Sequence, residues 1–246
     1  MRTHPPVRFV WKYSPPEGPS PPPRRTGPKD TAMTPEQASE LSAKVCALAP
    51  VIPVLVVHDA AQAQGLARAL VAGGLPALEV TLRTQSALDV IREMAQVDGG
   101  VVGAGTLLTE RDVEAAKEAG ASFGVSPGAT DRLLDACEAN DLPLLAGAAT
   151  ASEAMRLFER GYTVAKFFPA EINGGAAALK AIGAPIPQVR FCPTGGVSLK
   201  NARDYLSLPN VLCVGGSWVA PTDAVDAGDW DRVTALAAEA AALPRD

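Results

Sequence analysis

Residues 142–171 read LPLLAGAATASEAMRLFERGYTVAKFFPAE, and this pattern decides the fold. Leu142–Leu145 is a short apolar run and Thr163–Phe167 a second, β-branched one. Both have the length of a buried strand. Between them Thr150, with Glu153 three residues on, makes a helix start. The hydroxyl and the carboxylate there each satisfy a backbone N–H that a first helical turn leaves free. Strand, capped helix and strand make one β–α–β unit, whose crossover joins parallel strands.

The unit recurs on both sides. Further apolar runs lie at Val51–Val57, Ala77–Leu82, Val101–Ala104, Ser122–Val125, Gln188–Cys192 and Val211–Val214. Helical spacing separates them, as in Ala63, Leu66, Ala67 and Leu70, or Leu133, Leu134 and Cys137. Caps are expected at Thr109, Thr130 and Ser198. Eight strand candidates, each followed by a helix candidate, predict a (β/α)8 TIM barrel. Thr34-Pro35-Glu36-Gln37 adds an extra N-terminal helix ahead of the first strand. No G-x-G-x-x-G follows that strand, which disfavours a dinucleotide-binding open sheet.

The chain has 246 residues, 47% of them hydrophobic, enough for one substantial core. Nine of its 22 prolines precede Met33. Such a segment neither pairs in a sheet nor continues a helix. Residues 1–32 are therefore expected to be a disordered Pro-rich extension, dispensable for folding and activity, with Met33 reading as a first residue. Residues 33–246 are expected to form a single barrel domain. Six Lys/Arg against two Asp/Glu precede Met33, and 16 against 25 follow. An acidic body lacks the basic footprint that a nucleic-acid partner requires. The longest apolar runs, such as Pro50–Val57, are too short to cross a bilayer. Cys46, Cys137, Cys192 and Cys213 form no C-x-x-C pair and read as buried thiols of a cytoplasmic protein.

Catalytic groups of such barrels collect at the carboxyl ends of the strands, and the unusual residues of this chain fall there. Lys166 lies between Ala165 and two phenylalanines. A lysine in an apolar strand is unfavourable unless its amine is paired or neutral, and a neutral amine is a nucleophile. Glu79, between Leu78 and Val80, is an acid in an equally apolar strand. It reads either as an ion-pair partner of Arg83 or Lys166, or as a proton shuttle beside the lysine. Arg83 suits a carboxylate clamp. Thr106 closes Gly103-Ala104-Gly105, where a ligand can approach the backbone. Ser126-Pro127-Gly128 follows the fourth strand. Thr194-Gly195-Gly196 and Gly215-Gly216-Ser217 end the seventh and eighth strands, where barrels commonly hold a phosphate on backbone N–H groups. With only His4 and His58 present, no multi-histidine metal site can be built. His58 reads as a surface residue. No metal and no cofactor are expected. A phosphosugar isomerase or a phosphosugar-sensing module on the same barrel would share the phosphate corner but give Lys166 no role.

The segments LEVTLRT (78–84), GAGT (103–106), KFFPAE (166–171) with Asn173-Gly174-Gly175, FCPTGG (191–196) and GGSW (215–218) resemble the 2-keto-3-deoxy-6-phosphogluconate aldolase and 4-hydroxy-2-oxoglutarate aldolase family. The likeness runs in order from about Met33 to the C-terminus. It implies a class I aldolase, usually a homotrimer. The expected reaction is cleavage of the phosphorylated sugar acid to pyruvate and glyceraldehyde 3-phosphate, and of 4-hydroxy-2-oxoglutarate to pyruvate and glyoxylate. By motif, Lys166 matches the Schiff-base lysine and Glu79 the general acid/base. Arg83 and Thr106 match the grip on the keto-acid carboxylate, and Phe168 a wall of the pocket. Pro127, Thr194, Gly195, Gly196, Gly216 and Ser217 complete the substrate-facing set. Leu145–Thr150 departs from the pattern, lacking an expected proline before Gly147 and a bulkier residue after it. That stretch is expected to be the loop closing the fifth strand.

Overall fold

A computed structural model describes residues 32–245. The expected Pro-rich extension, apart from Ala32, lies outside these residues. After α1 (Pro35–Ala47), the strands β1 (Val51–Leu55), β2 (Ala77–Thr81), β3 (Val101–Gly105), β4 (Phe123–Val125), β5 (Leu144–Ala148), β6 (Val164–Phe167), β7 (Arg190–Pro193) and β8 (Val214–Gly216) alternate with helices. Those helices are α2 (Ala63–Ala72), α3 (Ala87–Met94), α4 (Glu110–Glu118), α5 (Asp131–Ala139), α6 (Ala151–Arg160), α7 (Gly175–Gly183) and α8 (Ala202–Leu206), with α9 (Thr222–Ala227) and α10 (Trp230–Ala241) after the last strand. Every neighbouring pair from β1 to β7 is parallel, and β8 pairs with β1. Two parallel bridges, Phe191 to Val211 and Thr194 to Gly215, join β7 to the β8 segment and close the (β/α)8 barrel.

Local chemistry places the helices where expected. Thr34, Thr109 and Thr150 form reciprocal capping boxes with Gln37, Asp112 and Glu153, and Thr130 accepts from the Leu133 N–H. Ser198 does not cap a helix. The chain makes a further turn, α8 begins at Ala202, and the Ser198 N–H donates to Asn201 Oδ1 at 2.7 Å. The β8 ladder starts at Val214 rather than Val211, because pairing with β1 begins only there. In β5 the strand continues through Ala146-Gly147-Ala148. The expected loop there is mostly strand, paired residue by residue with β6 as Ala146–Ala165, Gly147–Lys166 and Ala148–Phe167. Small residues hid this continuation because they carry little apolar signal.

Strand alternation sorts the two cores. Leu78, Val80, Ala165, Phe167 and Phe191 pack outward with the helices. Ile52, Ala77, Phe123, Val125, Leu145, Val164, Cys192 and Cys213 fill the barrel interior together with Cys46 of α1. That helix closes the amino-terminal end of the barrel, and its Ser39 Oγ accepts from the Thr163 N–H just before β6 at 2.8 Å. Burying such a core contributes about 25 cal/mol per Å² of apolar surface, and it makes the base of the barrel an apolar plug. Polar chemistry is left to the opposite rim.

Candidate active site

Because Val164 faces the interior, Lys166 two residues on does too. Its Nζ lies 3.3 Å from Glu79 Oε1, and the two residues are 5% and 2% exposed. Strand order alone would not predict this contact, since β2 and β6 are far apart around the sheet. The barrel brings them together across its axis. Burial pushes the Glu79 carboxyl above the usual carboxylate range, and the positive charge of Lys166 only partly opposes this. A carboxyl with a raised pKa is a stronger base once ionised, which suits it to proton transfer. The Phe168 ring stands over the amine, its centroid 5.2 Å from Nζ.

The remaining predicted residues line the same rim. Arg83 is exposed beyond β2, and its charge favours the ionised form of Glu79. The loop that carries it is tied to the segment just after β1 by Thr84 Oγ1, which donates to the Val57 carbonyl at 2.8 Å. Thr106 has φ 65°. A β-branched residue in this region costs about 1–3 kcal/mol, and such strain concentrates at functional sites. Thr194 is buried, and its hydroxyl donates to the Cys192 carbonyl at 3.5 Å. Gly216 is buried at the end of β8 while Ser217 is exposed beyond it.

Gly195 and Gly196 form a turn with φ 98° and 79°, conformations open to glycine and disfavoured for other residues. The carbonyls of Thr194, Gly195 and Gly196 accept from Ala170 N, Glu171 N and Asn201 Nδ2 at 2.8, 3.1 and 3.1 Å. Among the described residues, the Gly196 N–H donates to no protein acceptor, while the Gly195 N–H faces Gly215 across the bridge that joins the two strand ends. A turn with its carbonyls pinned and an N–H left unclaimed suits an anion.

Two glycines outside the expected set of site residues also shape the site. A Cβ at Gly105 would sit 2.4 Å from Glu79 Oε1, so the missing side chain is the space that the carboxylate occupies. A Cβ at Gly147 would sit 2.2 Å from the Pro127 carbonyl, so this glycine lets the Ser126–Gly128 turn lie directly on β5 beside Lys166. Glycine inside a strand is the available signal for such close approach. His58 is exposed, as expected. All four cysteines are buried free thiols. Among the described residues, no three His, Cys, Asp or Glu side chains are grouped to hold a metal ion, and no helix is long and apolar enough to cross a membrane.

Fold and site together define a barrel whose buried amine and carboxyl meet at the carboxyl-terminal rim. Comparison with known proteins narrows this class. The model of the family described as KDPG and KHG aldolase matches residues 43–236. The KHG/KDPG aldolase of Escherichia coli K12 is 54% identical over 192 residues, covering 78% of this chain and 90% of that protein. The crystal structure of the 2-keto-3-deoxy-6-phosphogluconate aldolase of Zymomonas mobilis ZM4 with 3-phosphoglycerate is 50% identical. It superposes with a TM-score of 0.79, over 82% of this chain and 95% of that one. A Legionella pneumophila KDPG aldolase, captured with pyruvate as a covalent carbinolamine, is 44% identical with a TM-score of 0.79, over 81% and 98% of the two chains. The chain belongs to the KDPG and KHG aldolase family.

Proposed function

We propose that this protein is a class I aldolase that cleaves 2-keto-3-deoxy-6-phosphogluconate to pyruvate and glyceraldehyde 3-phosphate. In the same site it cleaves 4-hydroxy-2-oxoglutarate to pyruvate and glyoxylate. The observation that carries this reading is the buried Lys166 Nζ 3.3 Å from Glu79 Oε1. The relatives' names and the covalent carbinolamine of the Legionella enzyme support it.

The Lys166 amine adds to the C2 ketone, and loss of water from the carbinolamine gives an iminium that withdraws electrons from C3. Glu79, through a water, takes the proton of the C4 hydroxyl as the C3–C4 bond breaks and the aldehyde departs. Its raised pKa suits it to return that proton to the enamine, after which hydrolysis releases pyruvate and the free amine. Arg83 and Thr106 hold the keto-acid carboxylate, Phe168 and Pro127 wall the pocket, and Thr194 lies between the two ends of the substrate. Gly195, Gly196, Gly216 and Ser217 hold the phosphate on backbone N–H groups and a hydroxyl. The catalytic unit is residues 33–246, acting as a homotrimer in the cytoplasm without metal or cofactor.

The test is borohydride reduction of EDTA-treated protein with pyruvate, followed by peptide mass mapping. A reduced pyruvyl adduct on Lys166, absent in Lys166→Ala, is expected. A folded protein that gives no adduct would overturn the covalent mechanism.

A further inference from the structure

The connection between β6 and α7 carries one acidic side chain that the reaction above leaves unused. The Glu171 N–H donates to the Gly195 carbonyl at 3.1 Å, tying this connection to the anion turn. The Glu171 stem lies across the next residue, for a Cβ at Gly196 would fall 2.6 Å from Glu171 Cγ and 2.7 Å from its Cβ. Its carboxylate accepts a hydrogen bond from the Tyr205 hydroxyl. Tyr205 is a firm anchor, being 1% exposed and part of the main core on α8. Burial and the adjoining Glu171 charge keep its hydroxyl protonated by pushing its pKa up. Asn201, four residues earlier at the head of the same helix, holds the Gly196 carbonyl directly. One helix therefore grips the turn twice, once through Asn201 and once through Tyr205 and Glu171.

We propose that Glu171, braced by Tyr205, is a positioning residue for the Gly195–Gly196 turn and sets the preference for phosphorylated over unphosphorylated substrates. The proposal rests on reading that turn as the phosphate corner. A carboxylate repels a phosphate dianion, so Glu171 is no ligand. Its contribution is the stem that lies over Gly196 and the hydrogen bond that keeps the stem there. A preorganised turn binds its anion without first losing conformational freedom.

The experiment compares Glu171→Ala, Glu171→Gln and Tyr205→Phe on the phosphorylated sugar acid and on 4-hydroxy-2-oxoglutarate, with inorganic phosphate as a competitive inhibitor. Glu171→Ala is expected to raise KM for the phosphorylated substrate and Ki for phosphate about tenfold, the usual scale for losing one charge-assisted hydrogen bond. Its kcat, and KM for the unphosphorylated substrate, should stay within about twofold, below the smallest energetic effect at issue. Glu171→Gln keeps both stem and acceptor and should restore near wild-type KM. Tyr205→Phe leaves the core filled, should fall between the two, and carries the comparison if Glu171→Ala folds poorly. An equal rise for both substrates, or a Gln variant as impaired as the Ala variant, overturns the proposal. Competition by phosphate in the wild type with an unchanged Ki in Glu171→Ala removes the brace alone. No competition in the wild type removes the phosphate-corner reading, and the brace with it.

Discussion

Replacing Gly147 with alanine should damage both stability and catalysis, and the structure sets the size of each effect. The new Cβ would meet the Pro127 carbonyl carbon and oxygen at 2.2 Å and Gly128 N at 2.5 Å, all backbone atoms with no rotamer to yield. Ordinary contact begins at 3.4 Å, so the turn and the strand must separate by the difference. If the turn moves, Pro127 is displaced and the hydrogen bond from Ser126 N to the Leu145 carbonyl, 3.3 Å, is lost. If β5 moves, it carries Lys166, its register partner on β6. Overpacking of this kind costs about 1–3 kcal/mol, which in a domain of this size lowers Tm by roughly 2–4 °C for each kcal/mol. A reacting group misplaced by about 1 Å loses on the order of 100-fold in rate. The assays are a thermal melt and kcat/KM from coupled detection of pyruvate. Gly128→Ala is the control, since nothing lies within 4 Å of a Cβ there, and it should stay within about 0.5 kcal/mol. A Gly147→Ala protein with wild-type Tm and kcat/KM would refute the packing argument.

Glu79→Gln should lower kcat about 100- to 10,000-fold, the usual worth of a general acid/base, while borohydride still traps pyruvate on Lys166. Loss of the trapped adduct would mean that Glu79 acts before imine formation. The same variant tests the proton linkage. The folded-state pKa of Glu79 is raised, so the stabilisation from its protonated form is fully present below the unfolded value of about 4.3. It is lost as pH rises through the folded value. Melts across that window should show the wild type losing stability relative to Glu79→Gln as pH increases, and a constant difference would contradict the assigned direction. Thr106→Gly should release the left-handed strain of about 1–3 kcal/mol, less the roughly 0.5–1 kcal/mol of added chain entropy that glycine costs. It should raise KM for the keto acid, and a fall in Tm would show that the Thr106 side chain contributes more than its backbone costs.

The alternation of short apolar runs with capped helices was enough to specify a closed parallel barrel. Period and capping are local properties, and a right-handed β–α–β crossover repeated seven times leaves few other solutions. The two buried charged residues were equally visible, because Glu79 and Lys166 stand out against apolar neighbours within single strands. Several features were not visible. The length of β5 was concealed by Ala146, Gly147 and Ala148, whose strand state comes from pairing with β6 and not from their own preference. Ser198 resembled a cap, but the next turn was spent before α8 could begin.

What the sequence determined by itself, then, is which residues are chemically out of place and at which strand ends they stand. Tertiary structure decided their distances. The 3.3 Å between Lys166 and Glu79 spans 87 residues of chain and exists only because the barrel closes. The gaps at Gly105 and Gly147 acquire meaning only once Glu79 and Pro127 are packed into them. The grip of Tyr205 on Glu171 likewise joins a loop to a helix whose proximity no local pattern encodes. Periodicity is written along the chain, whereas contact depends on how the strands are arranged around the barrel axis.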